Sequence, residues 1–116
     1  MGWKDNFKEG NELVLATSSK DGKPNANIVT SLGFFKNELL IADCRMFTTI
    51  KNLKENNRIA VVGEYYKLRG SVEIFSAGKC FDLCQKKAKK HKVKHAILIT
   101  IKEVIDLHKC KRIICK

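Results

Sequence analysis

A short stretch in the middle of the chain carries residue types that bind phosphate. Thr48 and Thr49 stand where a helix is predicted to begin, and either hydroxyl can accept the unpaired amide hydrogens of a first turn. Arg45 and Lys51 lie close by and add positive charge. A helix N-terminus favours anions, because its free amide groups and its dipole point at the ligand. The stretch indicates a phosphate site, although a capped helix that only joins two strands has the same pattern.

Two pairs of potential metal ligands follow in the second half of the chain. Cys80 and Cys84 are four residues apart, as are His91 and His95. This spacing fits no common zinc module, and a four-residue step also places two side chains on one helix face. We interpret the cysteine pair as the buried face of a helix and all five cysteines as reduced thiols. We predict no metal site, and no separate acid, base or nucleophile.

Short strands surround the phosphate-binding stretch. Alternating and apolar runs predict strands at residues 13–18, 25–32, 39–42, 59–63, 65–75 and 95–107. Asp21-Gly22 predicts a hairpin after the first strand, Lys36-Asn37 a turn before the third, and Gly70 a bend in the fifth. Six strands with few helices indicate a mainly β fold, a small barrel.

Three helical segments complete this prediction. The first is a short helix at residues 3–10, and the second is the helix after Thr48, with Phe47, Ile50 and Leu53 as its apolar side. The third is a basic amphipathic helix at residues 79–92.

The positive charge of the chain is unevenly distributed. The net charge is +11, and residues 79–116 hold twelve Lys and Arg against three Asp and Glu. The excess lies at residues 85–94 and in the tail, which predicts either a solvated surface or a site for nucleic acid or another polyanion. We expect one domain over residues 1–116, with a core at about 11–107 and a basic tail at 108–116. Without a long apolar segment or signal sequence, the expected location is cytoplasmic.

The order of six motifs resembles the pyridoxamine 5'-phosphate oxidase-like family of FMN-binding split barrels. The motifs are Asp-Gly-Lys-Pro at 21–24, Gly-Phe-Phe at 33–35, Leu-Leu-Ile-Ala-Asp at 39–43, Thr-Thr-Ile-Lys-Asn-Leu-Lys-Glu-Asn at 48–56, Arg-Ile-Ala-Val-Val-Gly at 58–63 and Leu-Arg-Gly-Ser-Val-Glu at 68–73. The resemblance implies a six-stranded split barrel, a homodimer, and two FMN molecules bound at the dimer interface.

The resemblance also implies which residues contact the cofactor. The flavin ring would meet the second strand and the end of the third, and the phosphate would lie at the start of the helix. The expected cofactor-binding residues are Val29, Thr30, Ser31, Ala42, Asp43, Thr48 and Thr49. Relatives often carry a basic residue where Thr48 stands, so the phosphate here would depend on the helix dipole with Arg45 and Lys51.

The resemblance implies an FMN-binding oxidoreductase or electron-transfer protein with an unidentified donor and acceptor. The chain lacks the C-terminal region with which the vitamin B6 oxidases bind substrate, so that particular activity is not expected. One alternative is a non-catalytic module of the same fold that holds a flavin, a deazaflavin or haem. The other is a polyanion-binding protein that uses residues 86–94 and the basic tail.

Overall fold

The computed structural model describes residues 2–115 as one antiparallel sheet with two α-helices. The strands are β1 (Glu12–Ser18), β2 (Pro24–Thr30), β3 (Phe34–Phe35), β4 (Glu38–Asp43), β5 (Arg58–Gly63), β6 (Tyr66–Phe75), β7 (His95–Asp106) and β8 (Lys111–Cys115). The helices are a 3₁₀ helix at Trp3–Phe7, α1 (Thr48–Glu55) and α2 (Lys79–Lys87). The sheet runs in the order β2-β1-β5-β6-β7-β4-β3, and β8 pairs with β7.

All six predicted strands are present, and the described residues form two further short strands. β3 pairs with β4 through a turn at Lys36 (φ 51°) and Asn37 (φ 68°), two left-handed residues of the kind that close a two-residue hairpin. Two residues are too few to give a sequence pattern, which is why β3 was not predicted. The tail forms β8 after a turn at Cys110 (φ 53°), and its last residue, Lys116, lies outside the described residues.

The bend predicted at Gly70 is confirmed. The register between β6 and β7 shifts between Arg69 and Gly70, which is a β-bulge. A Cβ atom at Gly70 would lie 2.0 Å from the carbonyl oxygen of Thr100. Only glycine allows the two strands to approach this closely, and the bulge lets the long strand curve around the core.

β4 and β7 are buried on both faces, as their continuous apolar runs predict. Ile97 and Ile99 of β7 pack in the larger core inside the curved sheet, together with Leu39 of β4. Leu98 of β7 and Leu40 of β4 point to the opposite face, into a smaller core beneath α2. These two central strands therefore separate two hydrophobic layers and fix the position of α2.

α2 is shorter than predicted, because it ends at Lys87 instead of continuing to residue 92. Ala88 closes the helix, and the Gln85 side chain bonds the main chain of the following loop, which diverts the chain from a helical path. The prediction that Cys80 and Cys84 form the buried face of this helix is confirmed, since they are 6% and 0% exposed. No helix among residues 2–115 combines the length and apolar character needed to cross a lipid bilayer.

Candidate ligand groove

A groove of about 750 Å³ lies between β2, the start of α1 and the end of α2. β2 is an edge strand at one end of the strand order, so a groove beside it can contact both faces of β2. The loop from β4 into α1 forms a second side. The third side is formed from residues 88–94, which we call the basic loop. The lining residues that the structure describes are Asn25, Asn27, Ile28, Val29, Thr30, Leu32, Ala42, Cys44, Arg45, Met46, Phe47, Thr48, Thr49, Lys87, Ala88, Lys89, Lys90 and His91.

The structure places two of the three predicted β2 residues in the groove. Val29 and Thr30 line it, but Ser31 is fully buried outside it. The Ser31 hydroxyl donates to the carbonyl oxygen of Phe7 (2.6 Å) and accepts the amide hydrogen of Gly33 (3.0 Å). β2 ends at Thr30, so the next side chain no longer follows the strand alternation and turns to the N-terminal segment. Ser31 therefore lies outside the groove and bonds the N-terminal segment.

The start of α1 borders the groove, but neither threonine caps it. The N-cap position is Phe47, with no side-chain hydrogen bond to the first turn, so the capping prediction is wrong. The Thr49 hydroxyl is bound instead by Asn25 (3.1 Å) and donates to Asn27, and the Thr49 side chain is buried. Thr48 is exposed at the first helical position. Thr49 thus fixes α1 against β2, and no side chain caps the first-turn amide groups.

Phe47 departs from the predicted apolar side of α1. Ile50 and Leu53 are buried in the larger core, but Phe47 is 81% exposed beside the groove. It precedes the helix, so the helical period does not govern its direction. An aromatic ring held in water at the edge of a groove is available for contact with a ligand or with a second protein surface.

Of the two basic residues proposed near the phosphate, only Arg45 lines the groove. Lys51 lines a separate hollow with Lys20 and Lys23 of the β1–β2 turn. Phe47 and Thr48 border both this hollow and the groove. Lys51 therefore lies near the start of α1 but outside the groove lining.

At the end of β4, Ala42 lines the groove and Asp43 does not. The Asp43 carboxylate is 1% exposed. One oxygen accepts the amide hydrogen of Met46 at 2.7 Å, and the other lies 2.5 Å from Nδ1 of His95. Asp43 is therefore not part of the groove lining.

The basic loop supplies groove residues that the sequence did not assign to the site. Lys87, Lys89, Lys90 and His91 line the groove together with Arg45. Their charge was visible in the sequence, but its direction depends on where α2 ends. Among residues 2–115, no Asp or Glu side chain lines the groove. The potential there is positive, although Lys87 also pairs with Glu9 at 2.6 Å.

Three thiols in and behind the groove have raised pKa values. Burial is the main cause that raises the pKa of Cys44, and the negative Asp43 adds to it while Arg45 opposes it. Burial also raises the pKa of Cys80, and it raises the pKa of Cys84 to about 12. These side chains stay protonated near neutral pH and are poor nucleophiles. In the part of the chain that the structure describes, no three His, Cys, Asp or Glu side chains are grouped to hold a metal ion.

Comparison with known proteins identifies the family. The sequence profile of the pyridoxamine 5'-phosphate oxidase family matches residues 3–108, so the chain belongs to this family. An uncharacterized protein from Methanocaldococcus jannaschii is 34% identical over 110 residues, which cover 84% of this chain and 74% of the relative.

Solved structures agree on the fold. HupZ from Group A Streptococcus has a TM-score of 0.83 at 19% identity, over 95% of this chain and 94% of that one. An FMN-binding protein from Syntrophomonas wolfei has a TM-score of 0.72 at 13% identity, over 88% and 79%. The chain therefore has the split-barrel fold of this family, as the sequence motifs predicted.

Proposed function

We propose that this protein binds FMN in the groove and uses it for electron transfer. The observation that carries the proposal is the lining of the groove, which combines polar β2 side chains, a helix start and four cations (Arg45, Lys87, Lys89 and Lys90) without any carboxylate among the described residues. A phosphorylated ligand with a polar ring edge suits this chemistry. The FMN-binding relative from Syntrophomonas wolfei supports the choice of flavin.

The phosphate is best accommodated at the start of α1. The first-turn amides of Thr48 and Thr49 supply hydrogen-bond donors, and Arg45 supplies the charge that threonine lacks. Along β2, Val29 would give the ring an apolar contact and Thr30 would offer a hydroxyl. The residues of this chain thus bind and orient the cofactor.

FMN supplies the redox chemistry when bound, and the protein tunes it. We propose a reduced nicotinamide or another small donor and an acceptor still to be found. The protonated thiol of Cys44 and the buried Asp43 offer no nucleophile or base in the groove. The function is therefore electron transfer through the flavin, without covalent catalysis by the protein. The free cysteines suit a reducing compartment, and we propose the cytoplasm.

We further propose that a second copy of this chain covers the outer face of the sheet. Val14 lies between Ile28 of β2 and Val62 of β5 in the strand register, and Ala16 lies between Ala26 and Ala60. These six apolar side chains point away from the core, with Val14 39% and Ile28 73% exposed. An exposed apolar face of this kind marks a protein interface. Since Ile28 also lines the groove, the partner would shield the flavin ring.

The first test is FMN retention by the purified full chain after gel filtration, measured by visible absorbance. We expect retention at about one flavin per subunit, and Arg45→Ala should weaken binding about tenfold, the loss expected when one charge-assisted hydrogen bond is removed. Lys51→Ala is the matched control, because it removes a cation near α1 that lies outside the groove. A protein that retains no FMN refutes the proposal, and equal losses in both variants refute the assigned phosphate site.

A further inference from the structure

The bond network of Asp43 connects two separate sides of the groove. Asp43 is the last residue of β4 and pairs in register with His95, the first residue of β7. Its oxygen Oδ1 accepts the amide hydrogen of Met46 at 2.7 Å, and its main-chain oxygen accepts the amide hydrogen of Lys94 at 2.8 Å. Oδ2 lies 2.5 Å from Nδ1 of His95.

The side chains of this pair can share one hydrogen. When Asp43 is ionised, Nδ1 of His95 donates it, because a carboxylate has no hydrogen of its own. The Asp43 side chain is 1% exposed, and a polar group so well buried requires hydrogen-bond partners. The two carboxylate oxygens thus contact different segments. Oδ1 bonds Met46 in the loop into α1, and Oδ2 bonds His95 at the start of β7.

Both attachments lead directly to residues that line the groove. Met46 belongs to the loop at residues 44–47, every member of which borders the groove. Lys94 and His95 end the basic loop, whose Lys89 and Lys90 border the groove from the other side. Asp43 itself lies outside the lining, so its contribution to a ligand is through the two loops that it joins.

We propose that Asp43 and His95 are a positioning pair that sets the separation of the two loops and thereby the affinity of the groove for its ligand. The proposal rests on the flavin-binding function proposed above. It assigns to Asp43 a role in place of the direct flavin contact that the sequence suggested, and it gives His95 a role beyond sheet pairing. Neither residue is required to touch the ligand.

Variants of His95 separate the hydrogen bond from the bulk of the ring. His95→Ala removes the donor to Asp43, whereas His95→Asn keeps an amide hydrogen close to the position of Nδ1. In FMN titrations followed by flavin fluorescence, we expect at least a tenfold loss of affinity in His95→Ala and less than a threefold loss in His95→Asn, the difference being one hydrogen bond to a buried charge. His108→Ala is the matched control, because this exposed imidazole contacts Tyr65 beyond the other end of β7.

Hydrogen exchange of the ligand-free chain tests the pair independently of FMN. His95→Ala should speed amide exchange in residues 44–47 and 88–94 by about tenfold while β5 and β6 keep their protection, because local opening follows the lost contacts. Unchanged exchange in both loops overturns the proposal, whether or not the wild-type chain binds FMN. Failure of the wild type to bind FMN refutes the proposed function alone.

Asp43→Asn covers the case in which His95→Ala does not fold. The amide oxygen can still accept from Met46, and the amide nitrogen can donate to Nδ1 of the other histidine tautomer. We expect FMN affinity within threefold of wild type. A folded Asp43→Asn chain that loses more than tenfold overturns the proposed hydrogen-bond pattern, as does a His95→Asn chain that binds no better than His95→Ala.

Discussion

The two basic regions of this protein have similar composition but opposite placement. The basic loop precedes β7, and the basic tail that the structure describes, from Lys109 to Arg112, follows it. β7 runs from His95 to Asp106, a span of roughly 36 Å at the usual rise per residue. The loop borders the groove, whereas none of the described tail residues lines it. Basic residues therefore border the groove in one place and lie on a turn and a surface strand in the other.

Local packing explains the difference between the two regions. The Gln85 side chain donates to the carbonyl oxygens of Ala88 (3.4 Å) and His91 (2.8 Å) and accepts the amide hydrogen of Val93 (3.0 Å). Val93 is 4% exposed and anchors the loop in the smaller core. Such a loop holds its lysines in fixed positions before a ligand arrives, which lowers the entropy cost of binding.

The tail is held by the pairing of β8 with β7 and by an ion pair at the surface. Arg112 of β8 pairs with Glu103 of β7 at 2.9 Å, and Arg69 of β6 pairs with the same carboxylate at 3.1 Å. Both arginine side chains are more than half exposed, and exposed ion pairs contribute little to stability. The basic loop therefore lies at the start of β7 and the described tail at its end.

Thiol reactivity gives the largest expected contrast between the two regions. Cys84 on the helix before the basic loop is fully buried and its pKa is raised to about 12, whereas Cys110 in the tail is exposed. At pH 8 an alkylating reagent should label Cys110 at least about 100-fold faster, because the thiolate is the reacting form. Peptide mass spectrometry assigns the label. Similar rates would show that the region around α2 is not packed as described.

The same shift fixes a pH dependence of stability. Because the pKa of Cys84 is higher in the folded state, the thiol contributes its full stabilisation at pH values below 9.0, the pKa of an unperturbed thiol. This contribution is lost as the pH rises towards about 12, the pKa in the folded state. Denaturation midpoints should therefore fall across this window, and Cys84→Ala should reduce the fall. Cys110→Ser is the control, since an exposed thiol should leave the alkaline profile unchanged.

Charge reversal gives the next largest contrast. Lys89→Glu with Lys90→Glu should weaken FMN binding about tenfold, because two cations at the groove become anions facing a phosphate. Lys109→Glu with Lys111→Glu makes the same change in net charge at the tail and should alter affinity less than about twofold. Titrations at two salt concentrations should show a weaker salt dependence for the loop variant only. Equal effects of the two double variants would mean that net charge, and not the loop, attracts the ligand.

The sequence predicted the sheet better than the groove, for physical reasons. Apolar alternation and the glycine at position 70 determine strands and their bend locally, so both were visible without a structure. Thr48 and Arg45 line the groove, because they directly flank the start of α1. Ser31 does not line it, because Ser31 stands one residue beyond the end of β2 and its side chain turns to the N-terminal segment.

Other errors involved contacts between residues distant in sequence. Asp43 lies outside the groove and bonds His95, which is 52 residues away in the sequence. The lysines of the basic loop reach the groove only because α2 stops at Lys87, and that end depends on the side chain of Gln85. No periodicity in the sequence predicts such bonds. Gln85, an uncharged polar residue beside the lysines of α2, was a weak signal.

Gln85→Ala gives the smallest expected effect and the most specific one. It removes three of the hydrogen bonds that hold the basic loop while leaving every lysine in the sequence. We expect a loss of about 1–2 kcal/mol in the free energy of unfolding and roughly a threefold loss of FMN affinity. Arg112→Ala is the matched change at the tail and should cost less than about 1 kcal/mol without affecting FMN. If Gln85→Ala binds FMN as the wild type does, the charge of the loop suffices and its fixed shape contributes nothing to the site.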